Sequence, residues 1–172
     1  SDKANDLLKS VFQHVSENQQ LVLDGSALTL IGQENISLPN AHLVFTPHPG
    51  EWKQLTGISK EEQTVKINKQ AQQKLNGTIV LKGSQTTIYF QEKVWKNTAG
   101  NPAMATGGMG DTLTGMIGGF SAQFPDKEQA VIAAVYLHSR IADDLAENQY
   151  VVLPSHIIEQ IPYSMKKFEQ LD

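Results

Sequence analysis

NPAMATGGMGDTLTGMIGG, residues Asn101 to Gly119, gathers six of the chain's 13 glycines around one acidic residue, Asp111, and leads directly into apolar positions at helical spacing. Glycines at 107, 108 and 110 let a backbone turn closely around an anion. The free N–H groups at the start of the helix that follows give that turn a positive potential. The stretch therefore reads as a phosphate cradle. A carboxylate there repels phosphate unless it has another task, and the task that suits it is to accept the proton of a hydroxyl attacking that phosphate. Asp111 is thus a candidate general base. The plain alternative is a loop with Asp111 as helix N-cap. Two familiar phosphate patterns are absent: there is no G-x-x-x-x-G-K-[ST], and Leu113 stands where the third glycine of G-x-G-x-x-G belongs.

Upstream, three short apolar runs, LVLD (21–24), HLVFT (42–46) and GTIVLKG (77–83), are separated by helix-like segments. Continuous apolar runs of this length suit strands of a parallel sheet covered on both faces. TTIYF (86–90) and KVWKN (93–97) read as a hairpin or edge pair attached to that sheet. Residues 4–17 place Leu7, Leu8, Val11, Phe12 and Val15 on one helical face after an Asp2 cap. Lys60 to Leu75 reads as a surface helix with a thin stripe of Val65, Ile67 and Ala71. Helices are expected at 109–122 and 127–146, and a last one from Pro154 to Leu171 with a break at Pro162. The predicted class is α/β: one domain over 1–172, a mostly parallel sheet flanked by helices. The chain opens on a helix with no strand before it, which leads to the expectation that the N-terminal portion of the domain lies outside this polypeptide, on a companion chain or unseen.

Composition narrows the function. With 172 residues and 40% hydrophobic content a substantial core is within reach. No run approaches the roughly 18 apolar residues of a spanning helix, and SDKANDLLKS offers neither a basic leader nor an apolar core. The absence of cysteine rules out disulfides and thiolate zinc sites and is compatible with the cytoplasm, the expected location. A net charge of −4 with scattered lysines argues against a nucleic-acid footprint. No membrane or nucleic-acid partner is expected.

NTAGNPAMATGGMGDTLTG (97–115) resembles the phosphate-binding and catalytic stretch of the ADP/ATP-dependent NAD(P)H-hydrate dehydratases, a branch of the ribokinase-like superfamily. VFTPHPGEWKQLTG (44–57) resembles that family's T-P-H-x-G-E motif and VLKGSQT (80–86) its K-G-x-x-T nucleotide motif, all in the family's order and covering the C-terminal portion of a family member. The resemblance implies a ribokinase-like fold and dehydration of hydrated NADH or NADPH with ADP or ATP as phosphoryl donor. Mg²⁺ would be held chiefly by the nucleotide phosphates, and family-like association would make a homo-oligomer. Asp111 would be catalytic and, with His48, bind substrate. Lys82, Gly83, Ser84, Gln85, Thr86, Asn101, Thr106, Gly107, Gly108 and Gly110 would bind nucleotide, and Glu51 could meet Mg²⁺ indirectly. VLDGSAL (22–28) departs from the family's V-L-D-A-D-A-L by keeping Asp24 and placing Ser26 at the second acid, so no role is carried to Ser26.

Read as residues alone, His48 sits between two prolines just past a strand, where open α/β sheets bind ligands, against the bland reading of a surface histidine. Glu51 opens the next helix, where the dipole favours a carboxylate in any case. Asn101 either bonds a ligand or stabilises its own turn. Trp52, Trp95, Met104 and Met109 read as packing residues and His138 as structural. Asp143 and Asp144, adjacent on a helix and so pointing apart, read as solvent-facing or inter-subunit. Rival functions are a ribokinase-like kinase for a vitamin precursor and a non-catalytic nucleotide-binding module.

Overall fold

A computed structural model of the chain describes residues 2–170. In order, the elements are α1 (Asp2–His14), β1 (Gln20–Leu23), α2 (Ser26–Glu34), β2 (His42–Phe45), α3 (Pro49–Thr56), α4 (Val65–Leu75), β3 (Thr78–Leu81), β4 (Thr87–Tyr89), β5 (Val94–Lys96), α5 (Met109–Gln123), α6 (Lys127–Ala146) and α7 (Pro154–Glu169). Short 3-10 turns lie at Lys60–Glu62 and Pro102–Met104. The strands form one sheet in the order β1-β2-β3-β4-β5. β1, β2 and β3 run parallel, with Val22 opposite Val44 and Val44 opposite Thr78, whereas β4 turns back antiparallel to β3. Because three strands share a direction, the residues just beyond them, Asp24, Thr46 and Lys82, emerge at one end of the sheet, the end where such folds bind ligands.

The chain forms two compact units, the first running up to Gly83 and including Thr87–Trp95, the second made of Ser84–Thr86 and the chain from Lys96 onward. In the first, Phe12, Leu23, Leu28, Ile31, Leu43, Phe45, Trp52, Ile79 and Tyr89 make a single apolar cluster. α2 and α3 cross closely at Gly32, where a Cβ would lie 2.3 Å from the Gln54 carbonyl oxygen. Trp52 is fully buried, and its indole donates to Asn68 Oδ1 at 2.9 Å, while Asn68 Nδ2 donates to the Tyr89 hydroxyl at 3.2 Å. Gln72 Nε2 donates to the Gly77 carbonyl at 2.9 Å. The inward face of α4 thus carries two buried amides, Asn68 and Gln72, beside Ala71 and Leu75, which pack against the apolar cluster. Of the expected Val65, Ile67, Ala71 stripe, Ala71 packs inward and Ile67 is half-buried, whereas Val65 is exposed. The single helix expected from Lys60 is also two pieces, because Thr64 leaves helical geometry to cap α4, its hydroxyl accepting from Ile67 N.

In the second unit α5 buries Leu113, Met116, Ile117 and Phe120, α6 buries Val131, Val135, Leu137 and Ile141, and α7 buries Ile157. The break expected at Pro162 does not occur: α7 passes through it. Pro162 and Ile158, four residues before it, are both exposed, so water can satisfy the carbonyl that the proline leaves without a donor. Asp2 is already helical rather than a cap. Among the described residues no helix is long and apolar enough to cross a membrane.

Candidate functional site

In the first unit the loops after the parallel strands bring four ionisable side chains together. Lys82, one residue past β3, places its ammonium 2.8 Å from Asp24 Oδ1 and 3.8 Å from Glu51 Oε2. Lys82 N donates to the Pro47 carbonyl at 2.8 Å, which ties the end of β3 to the loop carrying His48. His48 caps α3. Its Nδ1 accepts from Gly50 N at 2.9 Å and Glu51 N at 3.1 Å, while the Glu51 carboxylate returns to accept from His48 N at 2.7 Å. This reciprocal arrangement satisfies donors at a helix start that Pro47 and Pro49 hold in place. Lys82, Asp24 and Glu51 are mostly covered, and the His48 ring, 57% exposed, is the open member.

Burial alone pushes the Asp24 carboxyl up, but the hydrogen bond and charge of Lys82, helped by Thr46 and the Gly25 backbone, outweigh it and hold the group below its ordinary value. A depressed carboxylate contributes stability above its ordinary value of 3.8, and that contribution fades as pH falls through the lower folded value. Sequence reading noted Asp24 without giving it a role. The usable signal was an acid placed immediately after the first of three parallel strands, level with Lys82 after the third.

In the second unit Gly108, at φ +88°, is the N-cap of α5, which puts Asp111 in the first turn as its third residue, exposed. It is therefore not the N-cap. Thr112 closes the turn, its N and Oγ1 both donating to the Gly108 carbonyl at 3.0 Å. Of the two roles open to Asn101, the turn is seen: Oδ1 accepts from Ala103 N at 2.9 Å and Nδ2 donates to Asp143 Oδ1 at 2.6 Å. Asp143 Oδ2 also accepts from Gly100 N at 2.9 Å, so Asp143 fastens this loop and is not simply solvent-facing. Asp144 pairs with Arg140 at 2.6 Å. Thr106 Oγ1 donates to the Val152 carbonyl at 3.1 Å. Gly83, Ser84, Gln85 and Gly107 are exposed, and Thr86 and Gly110 half-buried. An open groove of about 490 Å³ runs from Asp111 along α5 past Gly115 and Gly119, with Ile158 and Met165 of α7 on its far side. Among the described residues no three His, Asp or Glu side chains converge on a point that could hold a metal.

The demand on Gly108 is testable. A Cβ there would meet Pro154 Cγ at 3.1 Å in a left-handed backbone, whereas one on Gly107 would meet nothing within 4 Å. Gly108→Ala is expected to cost about 1–2 kcal/mol in chemical denaturation, with Gly107→Ala close to wild type in stability. Equal melting of the two variants would remove the conformational requirement.

This architecture is that of the ribokinase-like superfamily: a solved structure from Enterococcus faecalis described in those words superposes with a TM-score of 0.95 at 48% identity, over 98% of this chain and 60% of its own. A family model described as NAD(P)H-hydrate dehydratase matches residues 2–163, and the chain belongs to that family. A curated relative from Lactiplantibacillus plantarum, named ADP-dependent (S)-NAD(P)H-hydrate dehydratase, is 52% identical over 98% of this chain and 61% of its own length. The ADP/ATP-dependent NAD(P)H-hydrate dehydratase of Bacillus subtilis, co-crystallised with ATP/Mg²⁺, superposes with a TM-score of 0.85 at 32% identity, over 98% of this chain and 61% of its own. The chain thus spans about three fifths of the length of these relatives.

Proposed function

We propose that the chain serves the repair of hydrated NADH and NADPH, with ADP or ATP as phosphoryl donor. The observation that carries this reading is a carboxylate, Asp111, in the first turn of a helix capped by a left-handed glycine, in a chain of this family. The backbone N–H groups of Gly107, Gly108 and Gly110 cradle the donor's phosphates, and the helix start favours their charge. Asp111 takes the proton from the hydroxyl of the hydrated nicotinamide ring. The freed oxygen attacks the terminal phosphorus, the bond to the departing nucleotide breaks, and a phosphoester remains on the ring. The ring-nitrogen lone pair then expels inorganic phosphate, and loss of a proton from the neighbouring carbon restores the reduced ring. The protein contributes position and charge, as in phosphoryl transfer generally.

The remaining assignments are part of the same proposal. Lys82 to Thr86 and the Asn101 and Thr106 loop serve the nucleotide, and His48 serves the dinucleotide substrate. Any Mg²⁺ arrives on the nucleotide phosphates, where it neutralises charge, with Glu51 at most an indirect contact. An assay of hydrated NADH with ADP and with ATP, following recovery of NADH absorbance and release of phosphate, tests the reading. A stable phosphoester as product would point to a small-molecule kinase, and no turnover to a binding module.

His48 can be tested apart from its cap. His48→Ala should weaken the dinucleotide substrate more than the nucleotide. His48→Ser, which restores a capping oxygen, should recover stability but not substrate affinity. Full recovery of both by serine would reduce His48 to a cap.

A further inference from the structure

His48 stands between two residues that have no N–H, so Pro47 and Pro49 can accept from their neighbours only through their carbonyls. Both carbonyls are held. Pro47 accepts from Lys82 N at 2.8 Å, and Pro49 accepts from the side-chain Nε2 of Gln63 at 2.9 Å. Between them His48 N donates to the Glu51 carboxylate at 2.7 Å, and the His48 carbonyl accepts from Trp52 N at 2.9 Å. Three of these four bonds come from α3 itself or from the residue after β3. The fourth comes from Gln63, 14 residues beyond Pro49 in the chain.

Gln63 is itself fixed in place. It is half-buried, and its Nε2 also donates to the Ile58 carbonyl at 3.3 Å, so both hydrogens of the amide group are used on backbone carbonyls. The chain on either side is capped: the Glu62 carboxylate accepts from Ser59 N at 3.1 Å, and Thr64 Oγ1 accepts from Ile67 N at the start of α4. Trp52 fastens the middle of α3 to the core through Asn68, whereas Gln63 acts on the first residue of that helix, directly beside the histidine.

We propose that Gln63 is a positioning residue for His48: by donating from Nε2 to the Pro49 carbonyl it ties the first turn of α3 to the turn before α4, and so sets the direction in which the exposed imidazole meets a ligand. The consequence for substrate rests on the proposed role of His48. The consequence for the helix cap does not, and the two are measured separately.

The test places Gln63→Met, which keeps the length of the side chain but has no donor, in wild type and in His48→Ser, which retains a capping oxygen and lacks the ring. In wild type the Gln63 side-chain amide protons should exchange more slowly than those of the exposed Gln13 and Gln73, a measurement that requires no variant to fold. In Gln63→Met the backbone amides of Gly50 and Glu51, which donate to His48 Nδ1, should exchange faster. In the assay of hydrated NADH, Gln63→Met should raise the KM for that substrate about threefold to tenfold, the scale of one hydrogen bond. Turnover number and nucleotide KM should stay within about twofold, and the same substitution should add nothing in His48→Ser. Fast exchange of the Gln63 amide in wild type, unchanged Gly50 and Glu51 exchange in Gln63→Met, or an equal rise in KM with and without the imidazole overturns the positioning role. Absence of turnover in wild type counts against the dehydratase reading and leaves the exchange results to decide the role of Gln63.

Discussion

Asp111→Asn should, on the proposed dehydratase chemistry, lower turnover of hydrated NADH by at least about a hundredfold, the usual scale for losing general acid–base help, while ADP binding measured by calorimetry changes only a few-fold. The substitution is nearly isosteric and falls on an exposed position in the first turn of α5, so fold and cradle should survive. Removing a negative charge beside the proposed phosphate cradle should tighten binding slightly. A collapse of ADP affinity with normal turnover of the remaining complex would show that the carboxylate organises the loop and does not take the proton.

Trp52→Ala should cost about 3–5 kcal/mol in denaturant unfolding, the range for truncating a fully buried aromatic, and bring the first unit close to unfolding. Trp52 stands inside α3, one residue beyond Glu51, so the same side chain that fills the core anchors the helix presenting His48 and Glu51. Trp52→Phe should separate the two contributions. It keeps most of the apolar volume but leaves Asn68 Oδ1 without its indole donor, at a cost of about 1–3 kcal/mol. A phenylalanine variant as stable as wild type would mean that the amide finds another partner.

The parallel strands were legible because each is a short apolar run followed at once by a polar residue, and β1, β2 and β3 fall within LVLD, HLVFT and GTIVLKG to within a residue. The Lys127–Ala146 helix was equally plain, since a long apolar face with an acidic cap leaves little ambiguity. α4 was half-legible: its end at Leu75 and the inward Ala71 could be seen, but not its start at Val65 or the two buried amides, Asn68 and Gln72, which hydrophobic periodicity cannot register. Pro162 misled for a related reason. The penalty of a proline in a helix depends on whether the orphaned carbonyl meets water, which is a property of the assembled unit and not of the local sequence. In the candidate site the glycine loop and Asp111 announced themselves by residue type. Asp24 and Asp143 did not, because each acts on a partner more than forty residues away, Lys82 for one and the Gly100–Asn101 turn for the other.

The cap on α3 also decides what kind of partner its histidine can accept. Nδ1 is engaged as an acceptor by two backbone amides, so the neutral ring must carry its hydrogen on Nε2, which lies 3.5 Å from Glu51 Oε1 on a ring more than half exposed. His48 therefore presents itself to any visitor as a donor with fixed polarity, matched to carbonyl, hydroxyl or phosphate oxygen and mismatched to an incoming N–H. A helix start that exists for local reasons thereby acts as a chemical filter, and redesign of this site for another ligand would have to begin by giving α3 a different cap.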